Sequence, residues 1–382
     1  MKLGDVCDSV SVTFDKTKQQ VVLINTSDVL EGEVTNHILV DNKGLKGQFK
    51  KTFQKNDILY SEIRPKNRRF AYIDFDSDNY VASTKLMVIR ANNRVLPQYL
   101  YQILKSEKVI NQLQSLAESR SGTFPQITFS ELAQIDVYIP ELSEQKEIAD
   151  FLKLFDDKIE NNKKINHHLA TIIDTQFEIL FCDNDLTKTT IGNIGEIVGG
   201  GTPSKKIQEY WNGDIPWLSP KDLSLRPSLY TSRGQMSITE LGYEKSSARL
   251  MPKNSILFSS RAPIGYLTIA ENNISTNQGF KSIIPNDDYP FTFVYELLKY
   301  ETPMLESSAS GSTFKEVSGT QLKNHVVSIP STKTIMRFHE SVKPLFEAIR
   351  CNEKDIQTLI EIRNILLPKL LSGEITINQT TK

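Results

Sequence analysis

The sequence predicts an α+β chain: two similar mixed α/β modules separated by two long helices, which pair as an antiparallel coiled coil with a pseudo-twofold relation. Three observations predict it. Residues 121–140 (SGTFPQITFSELAQIDVYIP) return at 310–330 (SGSTFKEVSGTQLKNHVVSIP), with Thr123-Phe124, Leu132 and Ile139-Pro140 matched 190 residues later by Thr313-Phe314, Leu322 and Ile329-Pro330. Upstream, Lys55–Ser61 (KNDILYS) matches Lys253–Ser259 (KNSILFS) at an offset of 198. Each copy then runs into a long stretch with apolar residues at 3-4 spacing. A chain of 382 residues has room for two such modules.

Within each module the elements follow in the same order. The KNDILYS and KNSILFS blocks alternate apolar and polar residues, as strands do. Arg64-Pro65 follows the first, and Arg261-Ala262-Pro263 follows the second. Strand-like runs come next at Tyr80–Ile89 and Gly279–Ile284, then helix-like stretches at Pro97–Glu118 and Phe291–Ser307. A Ser/Gly/Thr turn and a last strand close each module.

The long stretches predict the helices. Residues 144–181 hold no Gly and no Pro, and Ile148, Leu152, Phe155, Ile159 and Leu169 form a stripe. Phe338, Val342, Leu345, Ile349 and Leu359 repeat it in phase. A narrow stripe held for more than four heptads is the pattern of a coiled-coil seam, although two separate surface helices would also carry it. At about 1.5 Å per residue each helix is roughly 50 Å long. Asn162 and Asn352 occupy the same repeat position near the two midpoints. Antiparallel pairing therefore predicts that they lie close together, as polar seam residues that set register. Modules at opposite ends of such a rod suit two separated half-sites on a duplex, with unread base pairs between them.

Composition narrows the function. The longest apolar runs fall far short of the ~20 residues of a spanning helix, so no membrane partner is expected. Asp5 and Asp8 argue against an export signal, and Cys7, Cys182 and Cys351 fit neither a disulfide frame nor zinc spacing, which together point to the cytoplasm. The net charge is −1, yet Lys43–Arg69 carries nine basic residues against two acidic, and Thr202–Arg261 nine against five. One such patch alone reads better as a solvated face; one in each repeat favours contact with a few chosen phosphates.

Catalytic constellations are absent. No His-Glu-x-x-His occurs, and the adjacent His167 and His168 point to different sides of a helix. Gly199–Ser204 (GGGTPS) lacks the Gly-Lys-Ser/Thr ending of a nucleotide loop, and no Asn-Pro-Pro-aromatic segment appears of the kind that holds a flipped adenine. Neither a metal nor a catalytic residue is expected in this chain. What remains is binding chemistry. Backbone N–H groups of Gly199–Ser204 could approach a phosphate, beside the Thr202 and Ser204 hydroxyls and Lys205. Arginines after a strand could read guanine, and Asn277 and Gln278 could read adenine. The candidate DNA-contacting set is Lys46, Lys50, Lys51, Arg64, Lys66, Arg68, Arg69, Ser121 and Thr123 in the first copy. In the second it is Thr202, Ser204, Lys205, Lys221, Arg261, Asn277, Gln278, Lys281, Thr313 and Lys315.

Nearly the whole chain resembles the specificity subunit of type I restriction–modification enzymes. The resemblance rests on 191–223 (IGNIGEIVGGGTPSKKIQEYWNGDIPWLSPKDL), KNSILFSSRAPIG at 253–265 and STNQGFKSIIP at 275–285. It also rests on IPELSEQKEIADFLKLFDDKIE at 139–160 and LIEIRNILLPKLLSGEI at 359–375. It implies target recognition domains at 1–142 and 188–331, conserved helical regions at 143–182 and 332–375, and a flexible tail at 376–382. It also implies a non-catalytic subunit that binds double-stranded DNA and docks two adenine-methyltransferase subunits, with two motor–nuclease subunits completing a restriction complex. S-adenosylmethionine, ATP and Mg would sit on those partners, with no cofactor on this chain. The first copy lacks the GGTPS loop, so its contacts differ and the expected target is asymmetric. A coiled-coil adaptor without a DNA role and a self-sufficient DNA-modifying enzyme are the competing readings.

Overall fold

Apolar alternation places strands in both copies, and the topology they build is the same twice. The computed structural model describes residues 1–15, 17–43, 47–120, 123–182, 185–225, 227–261, 263–309 and 315–377. The chain divides into two compact units, Met1–Lys158 with Thr358–Lys382, and Ile159–Gln357. The division cuts both long helices.

In the first unit one sheet runs in the order Cys7–Val10, Leu86–Ala91, Ile58–Ser61, Phe70–Tyr72, with every neighbour antiparallel. In the second unit the corresponding sheet begins Gly195–Gly199, Lys281–Pro285, Ile256–Phe258, Leu267–Ala270, again antiparallel throughout. The other sheets correspond as well. Tyr80–Ser83 pairs parallel with Gln20–Ile24 and antiparallel with Phe49–Thr52. Ile274–Thr276 likewise pairs parallel with Trp211–Leu218 and antiparallel with Leu250–Met251. Parallel pairing of strands distant in sequence is not a product of hairpin chemistry, so its recurrence marks duplication of a whole fold. The first copy adds Val12–Thr13 beside Phe49–Thr52, and the second adds Tyr230–Thr231 beside Leu267–Ala270.

Two expected elements are divided. The run Tyr80–Ile89 is two strands in different sheets, broken at Thr84-Lys85. The helical stretch Pro97–Glu118 is two helices, Pro97–Leu104 and Glu107–Arg120, parted at Lys105-Ser106. The Ser106 hydroxyl donates back to the Ile103 carbonyl at 2.7 Å, a local bond that competes with helix continuation. In the second copy the helix Phe291–Ser308 is continuous.

The long helices are Leu142–Ile179 and Thr332–Leu370. In each unit they run in opposite directions. Asp156 pairs with Arg363 at 2.9 Å in the first unit. In the second, Asn166 pairs with Asn352 and Gln176 with Ser341, both at 2.8 Å, so one number rises as the other falls. The apolar stripe does more than form a two-helix seam. Ile148, Ala149 and Leu152 share a core with Leu367 and Leu370 and with Tyr99, Leu100, Ile103 and Leu104 of the first module. Ile173, Phe177 and Leu180 meet Ile335, Phe338, Val342, Phe346 and Ile349, together with Phe293, Val294, Leu297 and Leu298. Both groups are thus three-helix cores. Phe155, Leu169, Leu345 and Leu359 are only half-buried, while Ile159 is buried.

The expected Asn162–Asn352 contact is replaced. Asn352 Nδ2 donates to Asn166 Oδ1, one turn beyond Asn162. Asn162 is buried, and neither of its amide atoms has a hydrogen-bond partner among the described residues. The repeat offset explains the asymmetry: Asn352 corresponds to Asn162, but Asn166 corresponds to Ile356, which has no polar group to offer. A buried amide without partners costs ~1–3 kcal/mol. Asn162→Leu is therefore expected to raise stability by about 1–2 kcal/mol, read as a higher urea midpoint. An unchanged or lower midpoint would show that the amide is satisfied, for instance by a bound water.

Candidate nucleic-acid interface

In the second unit four segments distant in sequence meet at one edge. Gly201 N–H donates to the Thr276 carbonyl at 2.8 Å, Ser260 N–H to Gly279 at 2.8 Å, and Val317 N–H to Ser260 at 2.9 Å. Thr202 donates its hydroxyl to Gln278, and Arg261 and Glu316 form an antiparallel bridge. The loop after Gly195–Gly199, the turn at Asn277–Gly279, the strand end at Ser259–Arg261 and the segment at Lys315–Val317 thereby form one surface.

The glycines of the loop serve this assembly. A Cβ on Gly200 would lie 2.0 Å from the Asn277 carbonyl oxygen, and one on Gly201 2.3 Å from the Ser247 carbonyl carbon. No side chain fits there. The Gly200 and Gly201 N–H groups are also spent on the carbonyls of Phe280 and Thr276. The expected phosphate cradle at these two amides is therefore corrected: the loop is a packing device that fixes Thr202 against Gln278. Ser204, Lys205, Lys206, Lys221 and Lys315 are exposed, and the lysines have no ion-pair partner among the described residues. Asn277 is partly committed, since its side-chain oxygen accepts from Gly279 N–H at 2.8 Å. Lys281 lies 3.5 Å from Glu316 and is only 18% exposed.

The first unit assembles three equivalent segments with other residues. Glu62 N–H donates to Lys85 at 3.0 Å, Ile127 N–H to Glu62 at 2.8 Å, and Arg64 N–H to Pro125 at 3.1 Å. Thr84 N–H donates to Gln48 at 2.7 Å, which brings the strand carrying Lys50 and Lys51 to the same edge. Arg64 is exposed and reaches the Thr123 carbonyl at 3.3 Å. It enters the short turn Pro65–Asn67 and Arg68 leaves it, both with left-handed φ, 44° and 53°. Such backbone is uncommon for a side-chain-bearing residue and marks a turn held by its surroundings.

Three of the expected basic contacts here are engaged within the fold. Lys51 Nζ donates to the carbonyls of Leu86 and Thr84 at 2.8 and 3.2 Å, and burial holds its ammonium below the usual lysine pKa. Arg68 is paired with Glu107 and lies 3.8 Å from Glu31. Arg69 donates to the Ser27 and Val29 carbonyls at 2.9 and 3.3 Å. Lys50, Arg64 and Lys66 remain outward-facing. Lys46, Ser121 and Thr313 lie outside the described residues.

A family model described as the type I restriction modification DNA specificity domain matches residues 1–171 and again 184–361. The chain belongs to this family. It is 32% identical over 453 aligned positions to the type I restriction enzyme HindI specificity subunit of Haemophilus influenzae, covering 98% of each chain. It is 43% identical over 173 residues to the MjaIX specificity subunit of Methanocaldococcus jannaschii, covering 45% of this chain and 40% of that one. The fold is shared with a solved type I restriction–modification S subunit from M. genitalium, at a TM-score of 0.58 and 17% identity, covering 97% of this chain and 95% of that one.

The role of a type I specificity chain is DNA recognition. No group of three or more His, Cys, Asp or Glu side chains able to hold a metal occurs among the described residues. No described helix is long and apolar enough to cross a membrane. Charge counting along the sequence missed Glu316, Glu31 and Glu107, because each acid reaches its basic partner through the fold. The Glu316 pairing alone had a sequence signal: it stands where the first copy has Gln126, inside the repeated segment.

Proposed function

We propose that the chain reads a bipartite, asymmetric double-stranded DNA site, one half through each edge, and docks methyltransferase subunits on its long helices. The observation that carries this reading is the duplicated fold whose corresponding edges carry different side chains. Arg261 stands where the first copy has Ile63, and Glu316 where it has Gln126. Equal scaffolds with unequal contact groups suit two different half-sites. Two adenine-methyltransferase subunits would bring S-adenosylmethionine. Restriction subunits, where present, would bring ATP and Mg, and the assembly would work in the cytoplasm without any cofactor on this chain.

Co-expression with the methyltransferase and mapping of methylated adenines across a genome tests the reading. A bipartite motif with an unread gap is expected; a continuous motif, or activity of the isolated chain with magnesium or S-adenosylmethionine, would overturn it. Lys205→Ala should weaken binding uniformly across sequences and reduce the salt slope of the affinity by about 1, as for the loss of one phosphate contact. An unchanged slope would remove Lys205 from the interface.

A further inference from the structure

We propose that Glu316 is a positioning residue that fixes Arg261 to read a guanine in the half-site of the second domain. The inference rests on the DNA-reading function proposed above. Glu316 Oε2 forms an ion pair with Arg261, 3.0 Å from its Nε, and its other oxygen lies 3.5 Å from Lys281 Nζ. The main chain that carries the carboxylate is held in place twice over: the backbone of residue 316 bridges that of residue 261, and the next residue donates its N–H to the Ser260 carbonyl. Arg261 is 48% exposed at its side chain while Lys281 is 18% exposed, so the arginine is the outward member of the trio.

The chemistry selects the target atom. Glu316 sits on the Nε side of the guanidinium and leaves both terminal nitrogens of Arg261 unpaired among the described residues. These two nitrogens are the fork that matches guanine O6 and N7. The ion pair restricts the arginine's rotamers before binding, so less entropy is lost on contact. A phosphate is a poorer partner here, because a second anion beside Glu316 would be repelled, whereas a base edge offers neutral acceptors. The first domain has Ile63 and Gln126 at the bridged positions, with Lys85 donating to Gln126 at 3.0 Å, and so lacks the device. The guanine is therefore assigned to one half-site only.

The test uses the complex with its methyltransferase and maps methylated adenines for the parent, Glu316→Gln, Arg261→Lys, Arg261→Ala and the pair Glu316→Gln/Arg261→Ala. Glu316→Gln should relax one position of one half-site by roughly tenfold, with the other half unchanged. Arg261→Lys keeps the charge beside Glu316 but loses the fork, and should relax the same position. In the Arg261→Ala background Glu316→Gln should add nothing, which a merely structural carboxylate would not satisfy. An unaltered motif in Glu316→Gln, relaxation in both half-sites, or additive effects would overturn the inference. Should Glu316→Gln fail to fold, an unaltered motif in Arg261→Lys overturns it equally. Failure of the underlying function looks different: the parent itself would then yield no bipartite motif.

Discussion

Asp57→Ala is expected to cost ~3 kcal/mol of stability, whereas replacing Asp57 and Arg90 together should cost less than either single change. Asp57 is 1% exposed and accepts from two of the three Arg90 guanidinium nitrogens, Nε at 2.7 Å and Nη2 at 2.8 Å, while its carboxylate also accepts from Gln54 N–H at 2.8 Å. Removing the acid leaves a half-buried guanidinium without its counter-ion and an amide without its acceptor. The duplicated domain contains the solved alternative. Asp57 corresponds to Ser255, which is fully buried and donates its hydroxyl to the Pro252 carbonyl at 2.7 Å. Arg90 corresponds to Ile284, opposite Glu196 as Arg90 is opposite Asp8. The same scaffold thus stands with a charge pair in one copy and with a serine and an isoleucine in the other. Asp57→Ser combined with Arg90→Ile should recover most of the loss of Asp57→Ser alone. Denaturant unfolding of the four proteins measures the coupling, and strictly additive losses would show that the pair acts as two independent groups.

The repeat made the architecture legible, because a duplicated fold leaves the same apolar alternation and the same turn chemistry at a near-constant offset. KNDILYS and KNSILFS do become corresponding central strands, Ile58–Ser61 and Ile256–Phe258. Legibility failed where one run of apolar residues serves two elements. Tyr80–Ser83 and Leu86–Ala91 both alternate, and only the turn at Thr84-Lys85 sends them to different sheets. The stripe on the long helices misled in another way. Phe338, Val342 and Ile349 fit a two-helix seam, but Ile335, Phe346 and Phe177 widen the buried face, because Phe291–Ser308 packs against it as well. A third helix has no signature in the spacing of the other two.

The candidate interface was legible by place more than by residue. The segments around Arg64, Ser83–Lys85 and Thr123, and those around Arg261, Asn277 and Lys315, do come together in their own units. The roles of single residues depended on partners far away in sequence. Lys51, Arg68 and Arg69 counted as positive charge, yet carbonyls at Leu86 and Ser27 and the carboxylate of Glu107 engage them. The three glycines at 199–201 carried the composition of an anion loop. Two of them, Gly200 and Gly201, meet the backbone of Thr276–Asn277 and Ser247–Ala248, a close approach that forces glycine for packing reasons, whereas a Cβ on Gly199 would meet nothing within 4 Å.

Glu296→Gln is expected to stabilise the chain by a few kcal/mol at pH 8.5 and to change it little at pH 4.5, since one pKa unit is worth ~1.4 kcal/mol. Glu296 lines a cavity of about 610 Å³ in the second unit. Burial pushes its carboxyl up to about 8; the neighbouring Asp174 charge and their hydrogen bond add to the rise, and Lys299 at 3.7 Å opposes it. The neutral acid donates to Asp174, which Lys299 also pairs. A folded-state value above the ordinary carboxyl value of 4.5 means that the native state holds a proton the unfolded chain has released. The contribution of Glu296 is therefore fully favourable below about 4.5, falls as pH rises towards 8, and is constant above that. Glutamine keeps the shape and an N–H donor without an ionisation cost, so the difference between variant and parent should grow across this window and then level off. Glu353, pushed up to about 7 mainly by burial while it accepts from Leu229 and Tyr230 N–H, will keep part of the pH dependence in both proteins. Urea unfolding from pH 4.5 to 9 measures the difference curve; a flat difference would mean that Glu296 is ionised in the folded chain at neutral pH.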